Sequence, residues 1–441
     1  MSHHVQIQNF GPISSCQLEI NEFTILTGPQ ASGKSTIAKI VYYFRTVKDD
    51  ILDIMMQGGP QAVIERKNAT WHQTLKSRLR EKFLQLFGSS WAMPRNMDLR
   101  YNYTDKTYLH VFLVGGLNNE PNFVEFEFST DFFDYLADLD NQIFVDMGIA
   151  QRDFQLKRLT KLFDDEYETI FIPAGRNLIT LLSNQLNYIF TSMETSQLRN
   201  IDYITRQFVG LILKYKPLFS RGMQGALEEE KAHVGKVKNQ AAINELMRIA
   251  GRILTGTYKY QDGEERLYLD NHKYVKINFV SSGQQESVWI FNLLFILLLN
   301  NKRTFLIIEE PEAHLYPEAQ MHIAETLALF YSKKNTVFIN THSPYILGAF
   351  NNALMAWQIE NKASEELAPS VSKIVDKRYW LNPISISAYF VDKKALEVRS
   401  VFNPNESLAL IENEVIDGAS DSINNITDSL LELFYEVTPD D

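Results

Sequence analysis

The run Gly28-Pro29-Gln30-Ala31-Ser32-Gly33-Lys34-Ser35-Thr36 constrains this chain more than any other segment. It follows the largely apolar stretch Phe23 to Leu26 and precedes a helical pattern, so its glycines, lysine and hydroxyls stand where a buried strand turns into a helix. That context gives the pattern G-x-x-x-x-G-K-[ST] a physical meaning that an accidental glycine turn would lack. Gly28 and Gly33 let the backbone curl until successive N–H groups point at phosphate oxygens, helped by the positive end of the following helix. The spacing predicts Lys34 on the β- and γ-phosphates of a nucleotide, the Ser35 hydroxyl on Mg²⁺, and Thr36 near the α-phosphate.

Three later segments supply what such a loop lacks. Phe305 to Ile308 is short and wholly apolar, as expected of a central parallel strand buried on both faces, and it ends in Glu309 and Glu310. An acid at a strand end can hold the metal and the next can orient or deprotonate the attacking water, so Glu309 is assigned to the metal and Glu310 to the water. A second apolar strand, Val337 to Ile339, leads to His342, placed to donate to the γ-phosphate or to position the water. Before both lies Val280-Ser281-Ser282-Gly283-Gln284, opening an apolar helix. The expected class is α/β, with ATP and Mg²⁺ as the molecules bound.

At these residues the chain resembles the ABC-type ATPases of the SMC, RecF and OLD group. Glu310-Pro311-Glu312-Ala313-His314-Leu315 is similar to that group's second carboxylate motif, and Thr341-His342-Ser343-Pro344-Tyr345-Ile346-Leu347 to its histidine switch. Ile7-Gln8-Asn9-Phe10-Gly11-Pro12-Ile13 looks like its first strand and turn, and Val280 to Gln284 like its serine–glycine signature. The resemblance implies a P-loop NTPase head of ABC type with a mixed central sheet, an antiparallel β subdomain and a helical insertion. It implies catalysis by Lys34, Glu310 and His342. It also implies a site completed across a dimer, in which Ser281 and Gly283 contact the γ-phosphate held by the other chain. The expected organisation is 1–57 and 271–360 as the two parts of the head, 58–270 as an insertion, and 361–441 as a C-terminal extension.

Two departures bear on chemistry. The group usually has Asp where this chain has Glu309, and the extra methylene implies a water-mediated metal contact and slow turnover. No unambiguous Q-loop is readable; Gln142 and Gln151 are candidates by position. Ile172-Pro173-Ala174-Gly175-Arg176 resembles an element of these ATPases, which leaves Arg176 either near nucleotide, across a dimer, or structural.

Composition fits a globular enzyme. With 441 residues, 45% of them hydrophobic, the chain can bury a large core. The single Cys16 excludes an intrachain disulfide framework and a thiolate zinc cluster. No N-terminal stretch resembles a signal peptide, and the apolar run Trp289 to Leu299 is too short to span a bilayer, so the expectation is cytoplasmic with no membrane partner. The net charge of −11 is concentrated: residues 401–441 hold ten acidic and no Lys or Arg side chains. There Ile423, Ile426, Leu430, Leu433, Phe434 and Val437 recur at helical steps, an acidic amphipathic helix that either packs on the head or docks a basic partner.

Within the insertion, Arg66, Lys67, Lys76, Arg78, Arg80 and Lys82 lie among Trp71, Phe83, Phe87 and Trp91. Such a pattern can bind nucleic acid, but Leu79, Phe83, Leu86 and Phe87 equally make a helical core stripe with a basic outer face. Alternation at 98–103, 108–114 and 124–128 predicts an antiparallel sheet, as does Tyr258 to Phe279 with turns at Asp262-Gly263 and Asn271-His272. Residues 176–250 read as helices broken at Gly222, Gly225 and Gly235, and Leu354 to Ile359 as a strand. No acidic constellation of a metal nuclease is visible after His342. The expected function is a dimeric or higher even-numbered ATPase that senses or scaffolds, regulating a separate effector such as a nuclease in bacterial phage defence. The alternatives are a RecF-like DNA-clamping ATPase and, with less support, a transporter's motor subunit.

Overall fold

The computed structural model describes residues 3–412 except 65–68, 91–92, 116–122, 143, 145–147, 183–184, 186–200, 271, 363–367 and 394–396, together with 426, 427 and 430. The strands are β1 (His3–Phe10), β2 (Ile13–Ile20), β3 (Phe23–Thr27), β4 (Asp98–Asn102), β5 (Tyr108–Val114), β6 (Phe123–Phe128) and β7 (Glu168–Ile172). They continue with β8 (Thr257–Gln261), β9 (Glu264–Tyr268), β10 (Tyr274–Lys276), β11 (Thr304–Glu309), β12 (Thr336–Thr341), β13 (Ile386–Asp392) and β14 (Glu397–Ser400).

Eleven strands form one mixed sheet in the order β6-β5-β4-β1-β2-β14-β13-β3-β12-β11-β7. Its middle is parallel: β3 pairs with β12 and β13, and β11 with β12 and β7. Every residue of β3, β11 and β12 is buried. The reason is visible in side-chain alternation along β11. Leu306 and Ile308 join a core under the helices Gln240–Leu254, Ser282–Leu299 and Pro317–Tyr331, while Phe305 and Ile307 join a second core with the helix Lys34–Arg45 on the other face. A strand covered twice needs apolar residues at every position.

The outer strands β1, β2, β4, β5 and β6 are antiparallel and alternate instead, with Val5, Ile7, Leu99, Tyr101, Leu109, Val111, Val124 and Phe126 buried. The expected antiparallel stretches therefore extend the main sheet. A second sheet, β10-β9-β8, turns at Asp262 and Gly263, whose φ angles of 54° and 76° suit a two-residue hairpin. Asn271 of the other expected turn lies outside the described residues.

Several expectations need correction. Leu354 to Ile359 is not a strand; it belongs to the helix Pro344–Lys362. The buried set Ile346, Leu347, Phe350, Ala353 and Leu354 has helical spacing, so the short apolar run is a piece of a longer pattern starting at Pro344. Gly225 is no break, since the helix Gly222–Val234 runs through it; a Cβ there would meet Arg221 Cβ at 2.2 Å. The segment expected as an extension supplies β13 and β14 to the middle of the sheet, against β3 and β2. The amphipathic pattern at 423–437 lies almost wholly outside the described residues.

The basic stretch resolves toward packing. Trp71, Leu75, Leu79, Phe83 and Leu86 of the helix Trp71–Phe87 are buried. Lys76 and Arg80 pair with Glu125, Arg78 with Asp50 and Asp53, and Lys82 with Asp50 and the Thr46 hydroxyl. Arg66, Lys67 and Trp91 lie outside the described residues. Of the possible Q-loop residues, Gln142 bonds Asp138 and Gln155, and Gln151 sits in the helix Ile149–Phe163.

Candidate nucleotide site

The carboxyl ends of β3, β12 and β11 lie side by side, which gathers the distant motifs at one edge of the sheet. Leaving β3, the chain takes positive φ at Gly28 (140°), Ala31 (57°) and Gly33 (110°), and the helix Lys34–Arg45 begins with no side-chain cap. Its first N–H groups are thus available to an anion. Gly28 cannot be replaced freely, because a Cβ would stand 2.5 Å from the Val391 carbonyl of β13. Pro29, Gln30 and Ala31 form the exposed crest, and Ser32 is buried beneath it.

Lys34 Nζ donates to the carbonyls of Gly28 and Pro29, each at 2.8 Å, and lies 3.5 Å from Ser32 Oγ. Burial lowers its pKa to about 8, against the raising influence of Glu310, Glu312 and Glu309. The amine already sits in the loop where phosphate would lie. Ser35, the next residue, is hydrogen-bonded to the Glu309 carboxylate, which also takes the Ala174 N–H at 3.4 Å and the Asn340 amide at 3.4 Å. Burial raises the Glu309 pKa. Thr36 lies one helix position on, against Gly11.

Glu310 and His342 meet directly, with Nε2 2.9 Å from Oε1. His342 Nδ1 is 2.8 Å from the Gly28 carbonyl and 3.4 Å from Lys34 Nζ. A carbonyl only accepts, so the contact with Gly28 calls for the tautomer that carries a proton on Nδ1. The bond to His342 is the main cause holding the Glu310 pKa below its usual range. His342 is itself fixed by Glu312, whose Oε1 accepts the His342 N–H at 2.7 Å and the Thr341 hydroxyl at 2.8 Å. Glu312 and Asn340 were not singled out as site residues in the sequence; the Glu310-Pro311-Glu312 run was the available signal, while Asn340 has none.

Thr27 Oγ1, Asn340 Oδ1 and Glu312 Oε2 are buried without hydrogen-bond partners, and all three belong to this edge. Of these, Asn340 is in contact with Glu309, and its orphaned oxygen fits the hydrated shell of a hard cation. No group of three or more His, Cys, Asp or Glu suited to a metal occurs among the described residues. A magnesium ion here would depend on nucleotide phosphates together with Ser35 and Glu309.

Ser281 and Gly283 form a separate group. Ser281 caps the helix Ser282–Leu299 in a reciprocal box with Gln284, its N–H reaching Gln284 Oε1 at 3.0 Å. Gly283 presses on the turn after Glu310, where a Cβ would lie 2.7 Å from the His314 carbonyl. Phe279 and Tyr316, flanking these two segments, are 79% and 77% exposed. Arg176 is fully buried and its guanidinium is bonded to the carbonyls of Glu309 and Glu310, which places it behind the two carboxylates and not on an exposed face. No helix among the described residues is long and apolar enough to cross a membrane.

No curated protein sequence matches the chain. Among solved structures it is similar to an Smc head bound to the C-winged helix domain of ScpA, at 11% identity and TM-score 0.39, covering 79% of this chain and 92% of that one. An Smc head with an extended coiled coil bound to the C-terminal domain of ScpA, from Pyrococcus furiosus, gives 11% and 0.35, covering 97% and 99%. The SMC head domain of Thermotoga maritima gives 12% and 0.33, covering 79% and 91%. The family model described as the AAA ATPase domain matches residues 1–106 and 153–347, thereby spanning the phosphate loop, both strand-end carboxylates and His342. With the greater part of its length and its nucleotide-site motifs inside that match, the chain belongs to the AAA ATPase domain family.

Proposed function

We propose that this protein hydrolyses ATP at a site shared between two copies and uses the nucleotide state to regulate a separate effector. The carrying observation is the Glu310–His342 pair lying against Gly28 and Lys34. An ATP phosphate tail entering the loop would draw Lys34 Nζ from the Gly28 and Pro29 carbonyls onto phosphate oxygens, where its charge offsets theirs. His342, no longer confined to Glu310, would direct an N–H to the γ-phosphate, and Glu310 would be released to take a proton from the attacking water. Magnesium, when bound with the nucleotide through Ser35 and Glu309, supplies charge neutralisation of the phosphates.

Ser281 and Gly283 open a separate helix, so the reading places them against the γ-phosphate of the neighbouring chain, with Phe279 and Tyr316 in the contact. Hydrolysis then loosens the pair, a change another protein can sense. The resemblance to standalone ATPases of the SMC, RecF and OLD group supports phage defence as the setting and a nuclease as the effector. The paired basic side chains of the helix Trp71–Phe87 favour a protein partner over direct nucleic-acid binding there.

Two variants test the chemistry. Lys34→Ala should weaken ATP binding, whereas Glu310→Gln should bind ATP as the parent does and lose turnover. Both are measured by nucleotide titration and phosphate release. Equal turnover in Glu310→Gln and parent would remove Glu310 from its role.

A further inference from the structure

Behind the two strand-end carboxylates lies a guanidinium that touches no solvent. Arg176, the first residue of the helical segment that follows the short loop after β7, is 0% exposed. Its Nη1 donates to the carbonyls of Pro173 and Glu309, both at 2.7 Å, and its Nη2 to the carbonyl of Glu310 at 2.8 Å. Its Nε is shared between the Glu286 carbonyl and carboxylate, each at 3.1 Å. Glu286 also accepts the backbone N–H groups of Arg176 at 3.2 Å and Asn177 at 3.1 Å. The same loop sends the Ala174 N–H to the Glu309 carboxylate.

Each contact has a structural reason. Glu310 stands at φ 42°, a region few non-glycine residues occupy. Such a conformation persists only where its surroundings hold it. Its N–H is taken by the Asn340 carbonyl at 2.8 Å, and its own carbonyl by Arg176 and the Ala313 N–H at 3.0 Å. A planar fork that reaches several carbonyls at once is a task for arginine; a lysine ammonium would offer one point charge. Glu286 lies three residues beyond Gly283, on the helix that starts beside Ser281.

We propose that Arg176 is the positioning residue that fixes the backbone of Glu309 and Glu310 and, through Glu286, ties them to the helix bearing Ser281 and Gly283. The inference rests on the shared-site reading above. In a dimer so built, each Arg176–Glu286 pair connects one chain's catalytic carboxylate to the γ-phosphate held by its neighbour, so the two sites turn over cooperatively.

The test uses the full chain. Glu286→Gln keeps the side chain's shape but removes the charge that faces Arg176, and its single amide oxygen can serve only one of the N–H groups that the two carboxylate oxygens accept. Arg176→Lys removes the fork. Each should bind ATP within about two-fold of the parent, lose about ten-fold in kcat, and show a Hill coefficient near one where the parent exceeds one. Should Arg176→Lys not fold, Arg176→Met combined with Glu286→Met removes both charges together and carries the same expectation. A folded variant with parental kcat, or with parental cooperativity, overturns the proposal. So does a parent that is itself non-cooperative, or a rate loss matched by equal losses of ATP affinity and thermal midpoint, which marks a merely structural role. Glu310→Gln measured alongside separates the two ideas: if it still turns over, the catalytic reading fails, and if it is inactive while the Arg176 and Glu286 variants are normal, only the positioning role fails.

Discussion

At the scale of single residues, the site is a set of charges that hold one another, and on the proposed reading a nucleotide takes their place. Lys34 rests on carbonyl oxygens of its own loop, and Glu310 rests on His342. His342→Ala should therefore free the carboxylate yet remove the group that meets the γ-phosphate. Its turnover should fall roughly 10²-fold with little change in ATP affinity, measured by phosphate release under saturating ATP. A loss of affinity with unchanged kcat would place His342 in binding alone. Glu309 reaches the Ser35 hydroxyl despite occupying a position where aspartate is usual in the group the chain resembles. If its metal contact runs through water, Glu309→Asp should keep or raise activity, because Mg²⁺ demands strict octahedral geometry. A folded, ATP-binding but inactive Glu309→Asp would contradict that assignment.

At the scale of elements, remote strands decide what the phosphate loop can be. Gly28 lies under Val391 of β13, so Gly28→Ala must displace that strand or the loop. The variant should lose roughly 2 kcal/mol or more of stability and most ATP binding. Parental affinity in a stable Gly28→Ala protein would show that β13 yields easily. The far end of the sheet holds a pH-sensitive joint. His3 of β1 is buried, with Nδ1 accepting from Arg45 Nη1 at 3.0 Å and lying 2.9 Å from the Tyr101 hydroxyl. Burial, with the nearby Arg45 charge, lowers its pKa from 6.5 to about 3. The unfolded chain binds this proton below pH 6.5 and the folded chain does not. The contribution is therefore intact above 6.5 and lost progressively as the pH falls toward 3. Between pH 7.5 and 5.5 the urea-derived stability should drop by roughly 1 kcal/mol more in the parent than in His3→Gln. Identical slopes would show that His3 titrates freely in the fold.

Much of this was readable in the sequence because it is local. The phosphate loop, the strands ending at Glu309 and Glu310, the strand before His342 and the Asp262-Gly263 hairpin each declare themselves within ten residues. The signature helix was legible from its apolar run after Gly283. What escaped is long-range. Ile386 to Asp392 reads as an ordinary strand, and nothing in it says that it will lie against β3 and close over Gly28. Leu354 to Ile359 has too few residues to distinguish the two periodicities until the pattern from Pro344 is included. Arg176 stands in a recognisable Pro-Ala-Gly-Arg turn, but its partners Glu286, Glu309 and Glu310 are more than a hundred positions away, and only folding identifies them.

At the scale of the whole molecule, one chain carries two separate groups of residues that the proposed reading joins across a dimer. Lys34, Ser35, Glu309, Glu310 and His342 converge, while Ser281 and Gly283 open a different helix flanked by exposed Phe279 and Tyr316. The account's central claim is that two copies close around ATP, each giving its serine–glycine turn to the other's γ-phosphate. The most direct measurement is the mass in solution of Glu310→Gln with and without ATP and Mg²⁺, taken beside Glu310→Gln combined with Ser281→Arg. The account predicts that ATP doubles the mass of the first protein, or shifts it to a higher even-numbered assembly, and leaves the second unchanged although it still binds ATP. A Glu310→Gln protein whose mass ignores ATP, or an ATP-dependent shift that survives Ser281→Arg, would contradict it.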